Sequence, residues 1–169
     1  YIAWSLALSH QEKEAFDKAI DYYHKSFEKL TQYIKPAELI SFWINRGNCH
    51  RLDTKYKEAL DCFQRMLSIS REISKTQDEA LALYHIGRIY SDWGKYKQAF
   101  DYYQQSRDIH QQLGRDKNVA NQYYWLGNCY SLWGKYKQAI EYQNQCVSIF
   151  QQLDNQVDVA LAYFQLGRI

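Results

Sequence analysis

The chain has 169 residues, 46% of them hydrophobic and 24% charged, with a single proline, a composition that excludes a disordered tail and fits one folded domain. Lys and Arg total 21 against 19 Asp and Glu, and a net charge of +2 is too small for the broad basic face that sequence-independent nucleic-acid binding needs. No apolar run approaches the ~20 residues of a membrane span, and Tyr1 to Leu8 lack a basic flank and a cleavage-like site, so neither membrane insertion nor export is expected.

The sequence repeats itself with a period of forty: Gly47, Gly87, Gly127 and Gly167 fall in step, as do Ala19, Ala59, Ala99 and Ala139, and Phe16, Tyr56, Tyr96 and Tyr136. A fixed period settles the architecture before local propensity is consulted. The first unit covers about 1–33 and departs from the pattern, with Ala7 for the glycine and Glu14 for the turn glycine. The second, about 38–73, places Arg46 where later units have Ile86 and Leu126, and both units are expected to pack less regularly. The third, about 78–113, shows the design most plainly. Leu83, Ile86, Ile89 and Tyr90 recur at helical steps over Ala80 to Trp93, Gly94 breaks the pattern, and a second helix follows from Tyr96 to about Leu113. Gly114, Arg115 and Asp116 mark the turn to the fourth unit, about 118–153, and a partial fifth runs over 158–169.

Each unit is thus expected to be two antiparallel helices. One pair cannot bury its apolar face alone, so pairs stack with a constant rotation into an all-α superhelical solenoid. Gly87 and Ala99 are expected where the two helices cross closely, with the aromatic Tyr96 covering that contact. The chain begins without Met and starts and stops within units, which suggests a segment of a larger protein.

Tyr123, Leu126, Gly127, Tyr130, Gly134, Tyr136 and Ala139 reproduce a known pattern of large residue, Leu-Gly, Tyr, Gly-x-Tyr and Ala. On these residues the chain resembles the tetratricopeptide repeat family, in the forty-residue, long-helix subclass of kinesin light chains, Pins-type polarity adaptors and large bacterial multidomain proteins. The resemblance implies that the first helix of each pair lines a concave groove, and that the groove holds a protein or peptide.

Helical spacing then selects one stripe on the first helices, mixed polar and aromatic, whose candidate binding residues are Asn45 and Asn48, His85 and Arg88, Asn121, Trp125 and Asn128, Gln165 and Arg168. The residue after each glycine alternates Asn and Arg. An asparagine amide both donates and accepts and suits an extended main chain, whereas arginine offers a fork to a carboxylate. A peptide with acidic side chains or a free C-terminus is the expected partner. Trp125 either anchors that partner or packs on a neighbouring helix, while Trp93 and Trp133, beside turn glycines, are expected to pack between units. His10 and His50 stand where Tyr90 and Tyr130 do later and read as core residues. Cys49, Cys62, Cys129 and Cys146 lack zinc or redox spacing and read as reduced thiols of a cytoplasmic protein. No spacing assembles a nucleophile with a base, a metal cluster or a phosphate loop, so no catalysis, cofactor or metal is expected. A structural spacer, or a module that self-associates through its open ends, is the alternative.

Overall fold

The computed structural model describes Lys18 and residues 35–169. Of the first unit only Lys18 is described, and Ala7, His10, Glu14, Phe16 and Ala19 lie outside the described residues. Among these, seven helices and no strand follow one another: α1 Pro36–Leu52, α2 Tyr56–Glu72, α3 Thr76–Asp92, α4 Tyr96–Gln112, α5 Asp116–Leu132, α6 Tyr136–Gln152 and α7 Gln156–Leu166. None is long and apolar enough to cross a membrane.

The first six helices have 17 residues each, which makes walls about 26 Å long. The period of forty is therefore built from two equal halves of twenty. Each half closes the same way: past α3, the Gly94 N–H donates to the Ser91 carbonyl and the Lys95 N–H to the Tyr90 carbonyl, at 3.0 and 2.8 Å. These are the two bonds of a Schellman motif, which places its central residue in the left-handed region. Gly94, Gly114 and Gly134 take that place at φ 75°, 63° and 74°, and Thr54, Ser74 and Asp154 take it at 57°, 55° and 51°. Helix α3 begins before Ala80 because Asp78 and Glu79 in its first turn favour the positive end of the helix dipole.

Every helix packs mainly on its sequence neighbours, so the core runs as a continuous seam through the stack. Trp43, Phe63, Met66, Ile86 and Ile89 fill its early part, Tyr103, Leu126 and Cys129 its middle, and Val147 and Phe150 its end. The glycine crossings are closer than Ala residues alone would make them. A Cβ on Gly47 would lie 2.6 Å from the Phe63 ring, one on Gly87 2.9 Å from the Tyr103 ring, and one on Gly127 2.8 Å from the Gln143 amide. The residue under each glycine is therefore the one sixteen positions later. Ala99 does approach Gly87: its carbonyl oxygen would lie 3.2 Å from a Cβ placed there. Tyr96 packs against the cluster that holds Ala99 and Tyr103, and its ring also lies 6.5 Å from Trp133 of the next unit.

Arg46 is buried, with its guanidinium 5.4 Å from the Trp43 ring, and α1 and α2 keep the length of the later helices. On α7, Tyr163 and Phe164 are exposed, whereas their counterparts Tyr123 and Tyr124 on α5 are half-buried. Helix α6 accounts for part of this difference, since Tyr142 packs on Tyr123 at 6.0 Å.

Candidate functional site

The first helices α3, α5 and α7 stand side by side and share a recess of about 260 Å³. Arg88 and Asp92 enter it from α3, Trp125 and Asn128 from α5, and Gln165 and Arg168 from the end of α7. Five of the nine candidate residues therefore meet in one place. They converge because a forty-residue step returns each to the same face of a parallel helix one layer on.

Trp125 is the ridge of this surface. Its ring lies 5.8 Å from Tyr84 and 6.5 Å from Tyr103, with which it is nearly parallel, and the Arg88 guanidinium sits 5.6 Å from it. One part of Trp125 thus packs on the previous unit and the rest lines the recess. Burial raises the Tyr84 phenol above its ordinary range despite the opposing Arg88 charge, and raises Tyr103 strongly, so both rings stay neutral. The charge of the recess comes from Arg88 and Arg168, because Asp92, its acidic member, is engaged by Arg51 of α1 at 2.9 Å.

Asn128 is held from behind. The Gln143 amide nitrogen, on the second helix α6, donates to Asn128 Oδ1 and to the Tyr124 carbonyl, each at 3.1 Å. Gln143 reaches Asn128 because Gly127 leaves room for it. Gln165 donates to the Tyr124 hydroxyl at 2.8 Å, which ties α7 to α5.

The remaining candidate residues are placed differently. His85 is buried and does not present its ring to the groove: it stacks flat on Phe63, with centroids 4.6 Å apart. Burial, reinforced by Arg88 and Arg51, lowers its pKa to about 3, so it is a neutral core ring. Asn121 is exposed and borders a second recess with Leu81, Tyr84 and Trp125. Asn45 is exposed and Asn48 half-buried on α1, outside both recesses.

Helix-face reasoning on the first helices alone misses Tyr103 and Gln143, which act on the recess from the second helices. The signal for them was available: Phe63, Tyr103 and Gln143 occur sixteen residues after successive glycines. Trp93 and Trp133 do pack between units, against Tyr56 and Tyr96 at 5.8 and 6.5 Å, each with a lysine ammonium 3.5 Å from its ring. His50 is buried, and all four cysteines are buried free thiols. Burial pushes Cys62, Cys129 and Cys146 up to about 12 and Cys49 upward, which leaves them without thiolate reactivity. Among the described residues, no group of three or more His, Cys, Asp or Glu side chains is placed to hold a metal ion.

Comparison with known proteins agrees with this architecture. Family models of the tetratricopeptide repeat match residues 38–112 and 121–152, together more than half of the chain. Among solved structures, BtubC from P. vanneervenii is 20% identical over 90% of this chain and 65% of its own, with a TM-score of 0.76. A signal transduction ATPase with numerous domains and a tetratricopeptide repeat sensor, from Pyrococcus horikoshii, is 26% identical over 95% of this chain and 25% of its own, with a TM-score of 0.77. A Rap protein complexed with Competence and Sporulation Factor is 21% identical over 92% of this chain and 43% of its own, with a TM-score of 0.72. The chain spans less than two thirds of the length of each of these structures. No curated protein sequence matches it. With the forty-residue register, the glycine crossings and the matched models in agreement, the chain belongs to the tetratricopeptide repeat family.

Proposed function

We propose that the chain is a protein- or peptide-binding scaffold, the docking or sensing arm of a larger protein, and that its partner seats an acidic side chain or a free C-terminus in the recess between α3, α5 and α7. The observation that carries this is the convergence of Arg88, Trp125, Asn128 and Arg168 from three successive first helices, with Asp92 paired to Arg51. Two guanidiniums and an amide supply charge-assisted donors to a carboxylate, and Trp125 supplies an apolar platform for the neighbouring part of a peptide. The tetratricopeptide repeat sensor of the ATPase and the complexed Rap protein are relatives in fold that support a binding role. His85, buried against Phe63, has no part in the site.

The test is an array of synthetic dodecapeptides with glutamates placed singly and in pairs in an Ala-Ser background, each with a free and an amidated C-terminus. Acidic members are expected to bind, and Arg88→Ala to weaken the tightest of them by about tenfold or more, the worth of one charge-assisted bond. Asn48→Ala, outside the recess, is expected to change little. Binding that is indifferent to Arg88→Ala removes the site.

A further inference from the structure

The Asn128 amide carries both a donor and an acceptor, and its surroundings engage the acceptor. The orientation follows from chemistry. The Tyr124 carbonyl oxygen only accepts, so the Gln143 atom 3.1 Å from it is the amide nitrogen. That nitrogen is also 3.1 Å from the Asn128 side chain, so the Asn128 atom that meets it is the oxygen. The Asn128 NH2 is then the end left for the recess that this residue lines.

We propose that Gln143 is a positioning residue that engages the Asn128 oxygen and leaves its NH2 for the ligand, and thereby sets the recess to take a carboxylate in preference to a carboxamide. This role presupposes peptide binding in the recess. Arg88 and Arg168 carry no acceptor, so an oriented Asn128 gives the recess three groups that all donate. A carboxylate, which only accepts, satisfies them; a carboxamide of the same shape turns an N–H toward one of them.

The other crossings support a specific role for the amide. Phe63 and Tyr103 hold the same place under Gly47 and Gly87, so the fold does not require a polar side chain there. Above Tyr103 stands Arg88, which is a donor without help. Phe63 offers Asn48 no side-chain hydrogen bond. Gln143 is fully buried and its own oxygen has no hydrogen-bond partner, an arrangement unfavourable to stability that an apolar side chain would avoid.

Gln143→Met removes the donor at nearly constant shape. The probe is the tightest acidic dodecapeptide of the array and its Glu→Gln counterpart, titrated by fluorescence anisotropy. Expected is a melting temperature equal to or above that of the parent chain, with the preference for the Glu over the Gln peptide reduced about five- to tenfold. Gln143→Leu provides a second variant should Gln143→Met not fold. An unchanged preference in a folded variant, while Arg88→Ala still weakens binding, overturns the role of Gln143 and leaves the recess standing. Failure of the parent chain to bind any acidic peptide overturns both.

Discussion

The crossings at Gly47 and Gly127 occupy the same place in their helix pairs, yet a ring fills one and an amide bonded to a recess residue fills the other. Under Gly47 the Phe63 ring is fully buried and stacks on His85, itself buried, so the unit is closed by two flat rings. Under Gly127 the Gln143 amide takes the ring's place and bonds to Asn128, which borders the recess. The Gly87 crossing is intermediate: Tyr103 is buried like Phe63, but it lies against Trp125 and forms part of the recess floor. The helix lengths and turns are the same in all three. What changes is the side chain behind the glycine, and with it what the groove exposes.

Alanine at the glycines should break the comparison most visibly. At Gly47 the new methyl would meet at 2.6 Å a ring that is fully buried and stacked on His85, and overpacking of about 3 kcal/mol would exceed the ~1 kcal/mol gained in helix propensity. A net loss of about 2 kcal/mol by urea unfolding is expected. Gly87→Ala should lose less, about 1 kcal/mol, since the Tyr103 contact is longer, at 2.9 Å. Gly127→Ala meets a flexible side chain and should be near neutral, while displacing Gln143 from Asn128 and weakening peptide binding. The reverse order of stabilities would contradict the assignment of the Gly47 crossing as the rigid one.

A smaller effect separates the ring-filled region by pH. His85 has a folded pKa of about 3 and takes up a proton near 6.5 when unfolded, so between these values the unfolded chain binds more protons and acid favours it. Stability should fall as pH drops through this window, by about 1 kcal/mol from this residue between pH 7 and 5.5. Melting curves of the parent chain and of His85→Phe over this range should diverge by that amount; parallel curves would mean that His85 is solvated or paired.

Much of this was legible in the sequence because the fold rests on strictly periodic residues. The glycines, the alanines and the Trp-Gly-Lys-Tyr turns announce two helices per forty residues, and the first-helix stripe already contains Arg88, Trp125, Asn128, Gln165 and Arg168. Two kinds of residue escaped. His85 shares the stripe position of Trp125, and its burial depends on Phe63 lying opposite, a pairing between units that no single-helix pattern contains. Tyr103 and Gln143 act through the space a glycine leaves, so their influence on the groove follows from the absence of a Cβ on the facing helix.

The central claim is that ligands enter beside Trp125 and not at the outer turns. The chain has five tryptophans, whose indole N–H groups give separate signals in a nitrogen-correlated proton spectrum. Titration with a bound acidic peptide should move the Trp125 signal together with the Asn128 side-chain amide, and leave those of Trp93 and Trp133 in place. Movement of Trp93 or Trp133 with Trp125 unaffected would place the binding surface at the inter-unit turns and contradict the account.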